Sequence, residues 1–404
     1  MKGNIKLYSV MAVGLVVVVV VGLFAIGGPD YINEQLKPFV DKTRPWMGFP
    51  DGEPNAEHGH AIDAMIIYVH VLMLVLFVGW SSYYIYALIR FRKSRHPDAD
   101  YHGFRDNGTT TLVEYGVIFV EIILIALFAV PLWARMVDAN EFPSEGVKSV
   151  KEFDTSENPK SFTPAKDGLY MLHLDSDLKS MVTISDSKGD TNATLNNEDV
   201  LAKMSNEEKL NEAEKQRITM MLALKGGTEY TIKTTGDGAI KVGISEMPTV
   251  VIRVIAEQFK WNGYYSGFDG VFGRQEMRLA TVQNPFGKVQ NDPHGLDDFI
   301  VEKVIVPEGV DVITHISSKD VIHCFKVIPL RVCQDAIPGL QIPVHFKARK
   351  KMKTWINCAQ LCGDGHAAMR GDFEVMSQKD FATWWNQNSG WWLKGPAPKL
   401  AVAP

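Results

Sequence analysis

Three long apolar runs in the first third of the chain limit its fold more than any other feature. LYSVMAVGLVVVVVVGLFAI at 7–26, IDAMIIYVHVLMLVLFVGWSSYYIYALI at 62–89 and TLVEYGVIFVEIILIALFAVPLWARMV at 111–137 each reach the ~20 residues that a helix needs to cross a ~30 Å hydrocarbon core. The first follows Lys2 and Lys6. It reads either as a signal peptide ending near residues 25–28 or as an uncleaved anchor, because it exceeds the usual signal-peptide core of about 7–15 residues. The second and third runs are expected to form a helical hairpin. Trp80, Tyr83, Tyr84 and Tyr86 gather towards one end of the second, as interfacial aromatics do, and Arg90, Arg92, Lys93 and Arg95 follow at once. Positive charge on a short loop marks its cytoplasmic side, so residues 28–60 and everything after about 138 are expected outside the cytoplasm. Glu121 falls inside the third run. A carboxylate is costly in lipid, and this one is expected to face a companion membrane subunit. His70, in the second run, reads as a helix-packing residue.

The chain has 404 residues, of which 46% are hydrophobic and 22% charged, with a formal net charge of −5. That balance describes a globular protein with membrane segments and argues against nucleic acid as a partner. All four cysteines lie between Cys324 and Cys362, so they mark one site and not a disulfide framework.

Composition divides the chain into residues 1–28 (signal or anchor), 29–138 (membrane hairpin), 139–248, 249–385 and a tail at 386–404. Residues 139–248 are polar. DGLYMLHL, MVTISDS, TEYTIKTT and IKVGISE read there as short strands, and NNEDVLAKMSNEEKLNEAEKQRITMMLAL reads as helix, which gives a small α+β insertion with no ligand cluster. From 249 onward, TVVIRVIAEQFKW, VEKVIVPEGVDVITHISSKDVIHCFKVIPL and VHFKARKKMKTWINCAQLC are β-branched and aromatic runs punctuated by Gly and Pro, the pattern of an all-β sandwich.

CAQLCGDGHAAM spaces Cys358, Cys362, His366 and Met369 by three, three and two residues, and His323 stands upstream in DVIHCF. Thiolate, imidazole and thioether together select copper, since a thioether is a poor zinc ligand. A mononuclear blue-copper site needs one cysteine; two cysteines in one loop allow two copper ions to share bridging sulfurs and to delocalise one electron. That arrangement favours fast electron transfer over chemistry on a substrate.

The hairpin, the DVIHCF…LRVCQDAIPG stretch and CAQLCGDGHAAM resemble subunit II of the haem-copper oxygen reductases, the cytochrome c oxidase family, over roughly residues 60–138 and 249–385. The resemblance implies an exported cupredoxin domain with a binuclear CuA centre. Cys358 and Cys362 would bridge both coppers, His323 and His366 would each ligate one, and Met369 and the backbone carbonyl of Gln360 would be the axial ligands. Asp335 in QDAIPG matches a family aspartate between the copper site and the face where cytochrome c docks. Three departures stand out. The family usually carries glutamate at the position of Gln360, where it also reaches a magnesium ion; a neutral amide attracts a hard cation less, which counts against magnesium here. Phe259 in QFKW replaces a tryptophan associated with electron uptake, so that role passes to Phe259 itself, to the nearby Trp261, Tyr264 or Tyr265, or directly to a ligand. Cys324 and Cys333 stand where serine and lysine are common, and read either as a disulfide or as small buried thiols, and not as ligands.

The implied function is electron transfer by subunit II of a respiratory terminal oxidase in a bacterial inner membrane. Its partners would be subunit I, the other oxidase subunits and a cytochrome c donor; the oxygen chemistry and proton translocation belong to the assembled complex. A CuA subunit of a haem-copper nitric oxide reductase is the near alternative, and a membrane-anchored copper-delivery protein the distant one. His58, His60, His294 and His345 read as surface or loop residues.

Overall fold

The computed structural model describes residues 42, 54–98, 108–138, 142–144, 148–154, 159–175, 179–189, 191–196, 217–236, 240–289, 292–295 and 297–389. The first apolar run, at 7–26, lies outside them. The chain divides into two compact units, Met1–Pro54 with His58–Asp138, and Asn55–Glu57 with Ala139–Pro404.

In the first unit, helix α1 (Gly59–Arg90) contains an 18-residue window, Met73–Arg90, with a mean hydropathy of 1.3 and none of it buried. It is the one described helix long and apolar enough to cross a membrane. The third run is helical too, as α2 (Gly108–Leu124), a π-helical turn (Ile125–Ala129) and α3 (Val130–Val137). Pro131 sits in the first turn of α3; it lacks the N–H that would continue the regular ladder, and the wider turn just before it accommodates the loss. Glu121 on α2 is exposed in this unit, as are Tyr115, Phe119, Ile122 and Trp133. Their large apolar surface has no water-compatible cover of its own.

The second unit contains two β-sandwiches in sequence. The first is built from β1 (Lys148–Asp154), β2 (Lys160–Phe162), β3 (Gly168–Asp175), β4 (Ser180–Asp186), β5 (Thr191–Asn196), β6 (Arg217–Leu224), β7 (Tyr230–Gly236) and β8 (Lys241–Met247). These form two four-stranded antiparallel sheets, β1-β8-β3-β6 and β2-β7-β4-β5. Among the described residues this region holds no helix, and the end of the segment expected as helix is strand instead. RITMMLAL, read as the end of a helix, is strand β6, and residues 197–216 lie outside the described set. The reason is burial on both faces. Met220, Leu222 and Leu224 enter the core of this sandwich with Leu172 and Leu174 of β3, while Met221 joins Leu169 and Met171 on the other face, in the core of the next sandwich. A strand covered on both sides loses its alternation and reads as a continuous apolar run, which periodicity alone does not separate from a buried helix.

The second sandwich continues from β9 (Thr249–Glu257) and β10 (Lys260–Tyr265) through β11 (Phe299–Val301), β12 (Val304–Pro307), β13 (Asp311–Ser318), β14 (His323–Val327), β15 (Val332–Ala336), β16 (Ile342–Lys347), β17 (Met352–Cys358) and β18 (Arg370–Met376). Its sheets run β11-β10-β9-β13-β16 and β12-β18-β17-β14-β15, with β13 parallel to β9 and β12 parallel to β18. Val250, Ile252, Val254, Val306, Phe325 and Phe373 fill the space between them. This is the expected all-β, cupredoxin-like architecture.

Helix α4 (Gln378–Asn388) joins the two sandwiches. Ser377 caps it by accepting from the Asp380 N–H, and Phe381 and Trp385 pack into the second core beside Tyr265 and Phe299. Strand β6 ends its sheet, so one edge of its backbone has no strand neighbour. Asn386 supplies one: its Oδ1 accepts from the Met221 N–H at 2.8 Å and its Nδ2 donates to the Met221 carbonyl at 2.9 Å, both bonds buried. Replacing Asn386 by Ala leaves a buried donor and acceptor unpaired at about 1–3 kcal/mol each. Asn386→Ala is therefore expected to lower unfolding stability by about 2–6 kcal/mol, read by urea denaturation of the purified chain.

Candidate metal centre

Strand pairing brings the distant ligand types together. On β14, Phe325 stands opposite Cys358 at the end of β17, and Lys326 opposite Asn357. Two residues before Phe325, His323 therefore lies beside Cys358. The loop between β17 and β18 folds back through a 3-10 turn at His366–Ala368, and the Cys358 N–H donates to the Met369 carbonyl at 3.4 Å across its neck. Cys358 and Met369 thus sit at the two ends of a closed loop.

Within it, Cys358 Sγ lies 3.7 Å from Cys362 Sγ, 3.9 Å from His323 Nδ1 and 3.1 Å from the Gln360 carbonyl oxygen. Cys362 Sγ lies 3.5 Å from His366 Nδ1 and 3.7 Å from Met369 Sδ. Side-chain separations of 3.5–3.9 Å match two donors that share a first-row metal through bonds of about 2.0–2.3 Å. One atom each from His323, Cys358 and Cys362 lies within 4.8 Å of the others. His323, Cys362 and Met369 are buried, Cys358 is half-buried and the Gln360 side chain points to solvent. Burial, reinforced by the adjacent Cys358 thiol, pushes the Cys362 thiol up to about 11, so a metal here must displace a tightly held proton.

Two residues that the sequence did not single out support this loop. Asp320 Oδ1 lies 2.8 Å from His323 Nε2, which fixes the ring with Nδ1 turned towards Cys358. Burial raises the Asp320 carboxyl, but the His323 ring and the N–H groups of Gln258 and Val321 outweigh it and hold the carboxyl below its usual range. Gln258 Nε2 donates to the Cys362 carbonyl at 2.6 Å. The only signal for Asp320 is its place three residues before His323; for Gln258 the sequence carries none.

The loop also depends on two bare backbone positions. A Cβ at Gly365 would lie 2.4 Å from the Phe259 ring, and Gly363 has φ +131° with Phe259 and Gln258 against it. Phe259 is thereby laid over the loop at the surface, 39% exposed. Trp261 is fully buried, edge-on to His323 with ring centroids 6.1 Å apart. Tyr264 does not join this group. Strand alternation turns it to the opposite face of β10, where it packs on Phe272 and Phe286 and donates a hydrogen bond to Asp298. Asp335 is exposed on β15, opposite Cys324. Cys324 and Cys333 are free thiols with sulfurs 3.4 Å apart, the first buried and the second exposed. Burial, then Cys333 and Asp335, push the Cys324 thiol up.

A sequence profile described as cytochrome C oxidase subunit II, periplasmic domain, matches residues 250–375. The alternative cytochrome c oxidase subunit 2 of Bradyrhizobium diazoefficiens is 30% identical over 138 residues, 34% of this chain and 50% of that protein. The cytochrome c oxidase subunit 2 of Cereibacter sphaeroides is 32% identical over 137 residues, 33% of this chain and 44% of that one. The chain thus spans half or less of the length of these relatives. Among solved structures, the periplasmic domain of subunit II of the Bradyrhizobium japonicum cytochrome oxidase is 26% identical and covers 34% of this chain and 92% of that one, with a TM-score of 0.26. Residues 250–375 are thus similar to the domain of cytochrome c oxidase subunit II that the profile describes as periplasmic.

Proposed function

We propose that this chain is subunit II of a respiratory haem-copper terminal oxidase. In this reading its exported domain takes single electrons from a cytochrome c and delivers them to haem in subunit I, where oxygen is reduced to water and protons are translocated. The observation that carries it is the convergence of two thiols, two imidazoles, one thioether and one carbonyl within a single closed loop and its neighbouring strand. This donor set fits a binuclear CuA centre, because soft sulfur and imidazole ligands suit copper. His323, Cys358, Gln360 (through its carbonyl), Cys362, His366 and Met369 would hold it, and when bound it would supply one-electron storage with little rearrangement. Oxygen is preferred to nitric oxide as the final acceptor because the relatives matched are oxidase subunits.

The chain's own residues would perform the positioning. Asp320 orients His323, Gln258 anchors the Cys362 carbonyl, and burial of Met369 keeps water from the inner side. Outside the loop, Leu361 is 76% exposed, and Val321, Ile322 and Phe259 are also exposed. These form an apolar rim suited to a partner that must approach closely and leave quickly. Phe259 lies at that rim and Trp261 packs edge-on against His323, so the two would give a short route for electron uptake, and exposed Asp335 would help to attract a basic cytochrome. The exposed apolar surfaces of α1 and α2 support a membrane hairpin, with Glu121 directed at a neighbouring subunit. The exposed side chain of Gln360 is a neutral amide, which speaks against a magnesium ion there.

Electron paramagnetic resonance of the copper-loaded full chain tests this reading. A mixed-valence signal with hyperfine coupling shared equally by two coppers is expected; a single-copper spectrum, or none, would overturn it in favour of copper delivery. A second measurement probes the support. Asp320→Ala is expected to weaken copper binding about 10–100-fold, measured by competition with a chromophoric chelator, while the unfolding midpoint stays close to that of the parent chain.

A further inference from the structure

The connection between β10 and β11, residues 266–298, gathers a second group of ligand atoms away from the copper loop. One carboxylate oxygen from each of Asp269, Asp297 and Asp298 lies within 4.8 Å of the other two. Asp297 and Asp298 are only 5% and 7% exposed. Their hydrogen bonds come mostly from the connection's own backbone. Asp297 Oδ2 accepts from the N–H groups of Phe268 and Asp269 at 2.5 and 3.1 Å. Asp298 Oδ2 accepts from the Tyr264 hydroxyl and, at 2.7 Å, from the Gly273 N–H. Asp269 accepts from the Val271 N–H at 2.7 Å and faces His294 Nδ1 at 2.9 Å.

One donor atom is left over. Asp298 Oδ1 is buried and has no hydrogen-bond partner, and a buried unpaired carboxylate oxygen is costly. The charges are also crowded. Burial, with Asp269 as the next cause, pushes the Asp297 carboxyl up to about 7, and burial pushes Asp298 up to about 6. Positive groups at the edge include His294, which faces Asp269, and Lys288, whose Nζ donates to the Asp298 backbone carbonyl at 2.9 Å and whose charge partly offsets the rise of the Asp298 carboxyl. The chain packs tightly round the group as well: at Gly267, with φ +61°, an added Cβ would lie 2.5 Å from the Asp297 carboxylate.

We propose that Asp269, Asp297 and Asp298 form a binding site for a hard divalent cation of the calcium class, separate from the copper ligands. All-oxygen donors select hard cations. Three protein carboxylates drawn together from one connection suit calcium, which accepts many protein oxygens in a flexible shell, better than magnesium, which keeps several of its waters. The site would tie the start of the connection, at Asp269, to its end at Asp297 and Asp298, just before β11 pairs with β10.

The test uses the purified full chain in detergent after removal of bound divalent ions with a chelator. Equilibrium dialysis against radioactive calcium is expected to show one tightly bound ion per chain, retained against a tenfold excess of magnesium. Terbium added as a calcium probe is expected to luminesce on excitation of tyrosine, since the Tyr264 hydroxyl bonds Asp298. Asp298→Asn should weaken calcium binding at least tenfold. Asp269→Asn, at the exposed edge of the group, should do the same, and carries the test by itself if the Asp298 variant does not fold by circular dichroism. Absence of stoichiometric calcium, equal displacement by magnesium, or unchanged affinity in the folded variants would overturn the proposal.

Discussion

The pairing of β14 with β17 is the contact on which the candidate centre depends. With Phe325 opposite Cys358, a histidine 35 residues upstream is delivered beside a cysteine at the end of the neighbouring strand. A register shift of one residue would turn His323 to the other face of the sheet and separate it from the loop. The register is held by burial: Phe325 is fully enclosed, between Trp261 and the rest of the core, and a slip would drive its ring to the surface at a cost of about 1.5–3 kcal/mol for that side chain alone. Core packing and ligand geometry are therefore one constraint.

The same economy governs the loop. Cys358, Cys362, His366 and Met369 come from a single short segment, so little chain entropy separates them once its neck is closed. Supporting groups outside the segment then set its shape. Phe259 lies where two glycines leave room, Gln258 bonds the Cys362 carbonyl, and Asp320 fixes the His323 ring. A ligand set presented on strand ends and braced in this way is more rigid than one on a free loop. Such rigidity would suit the proposed single-electron transfer, because each rearrangement on oxidation adds to its barrier.

The first β-sandwich is not an independent attachment. Leu169, Met171 and Met221 lie in the hydrophobic core of the second, and Asn386 of α4 satisfies the edge of β6. The two sandwiches share buried apolar surface and a buried polar clasp, so loss of either weakens both. This sharing explains why residues 139–248 were the least legible stretch. RITMMLAL looked helical because its two faces serve two different cores, and nothing within eight residues reveals that a second core exists.

Local chemistry was readable from the chain itself. The apolar runs, the copper-type ligand set of CAQLCGDGHAAM and the β-rich character after residue 249 all follow from residue type and short spacing, since lipid length, donor softness and strand periodicity are properties of adjacent residues. Only the tertiary structure decided which groups meet. It placed Trp261 against His323 while sending Tyr264, three residues on, to the opposite face, and it chose Asp320 and Gln258 as supports. It also brought Asp269 to Asp297 and Asp298 across a long connection. Distances between residues far apart in the chain are set by strand register and by the packing of side chains between sheets, and neither quantity is written in any short stretch of sequence.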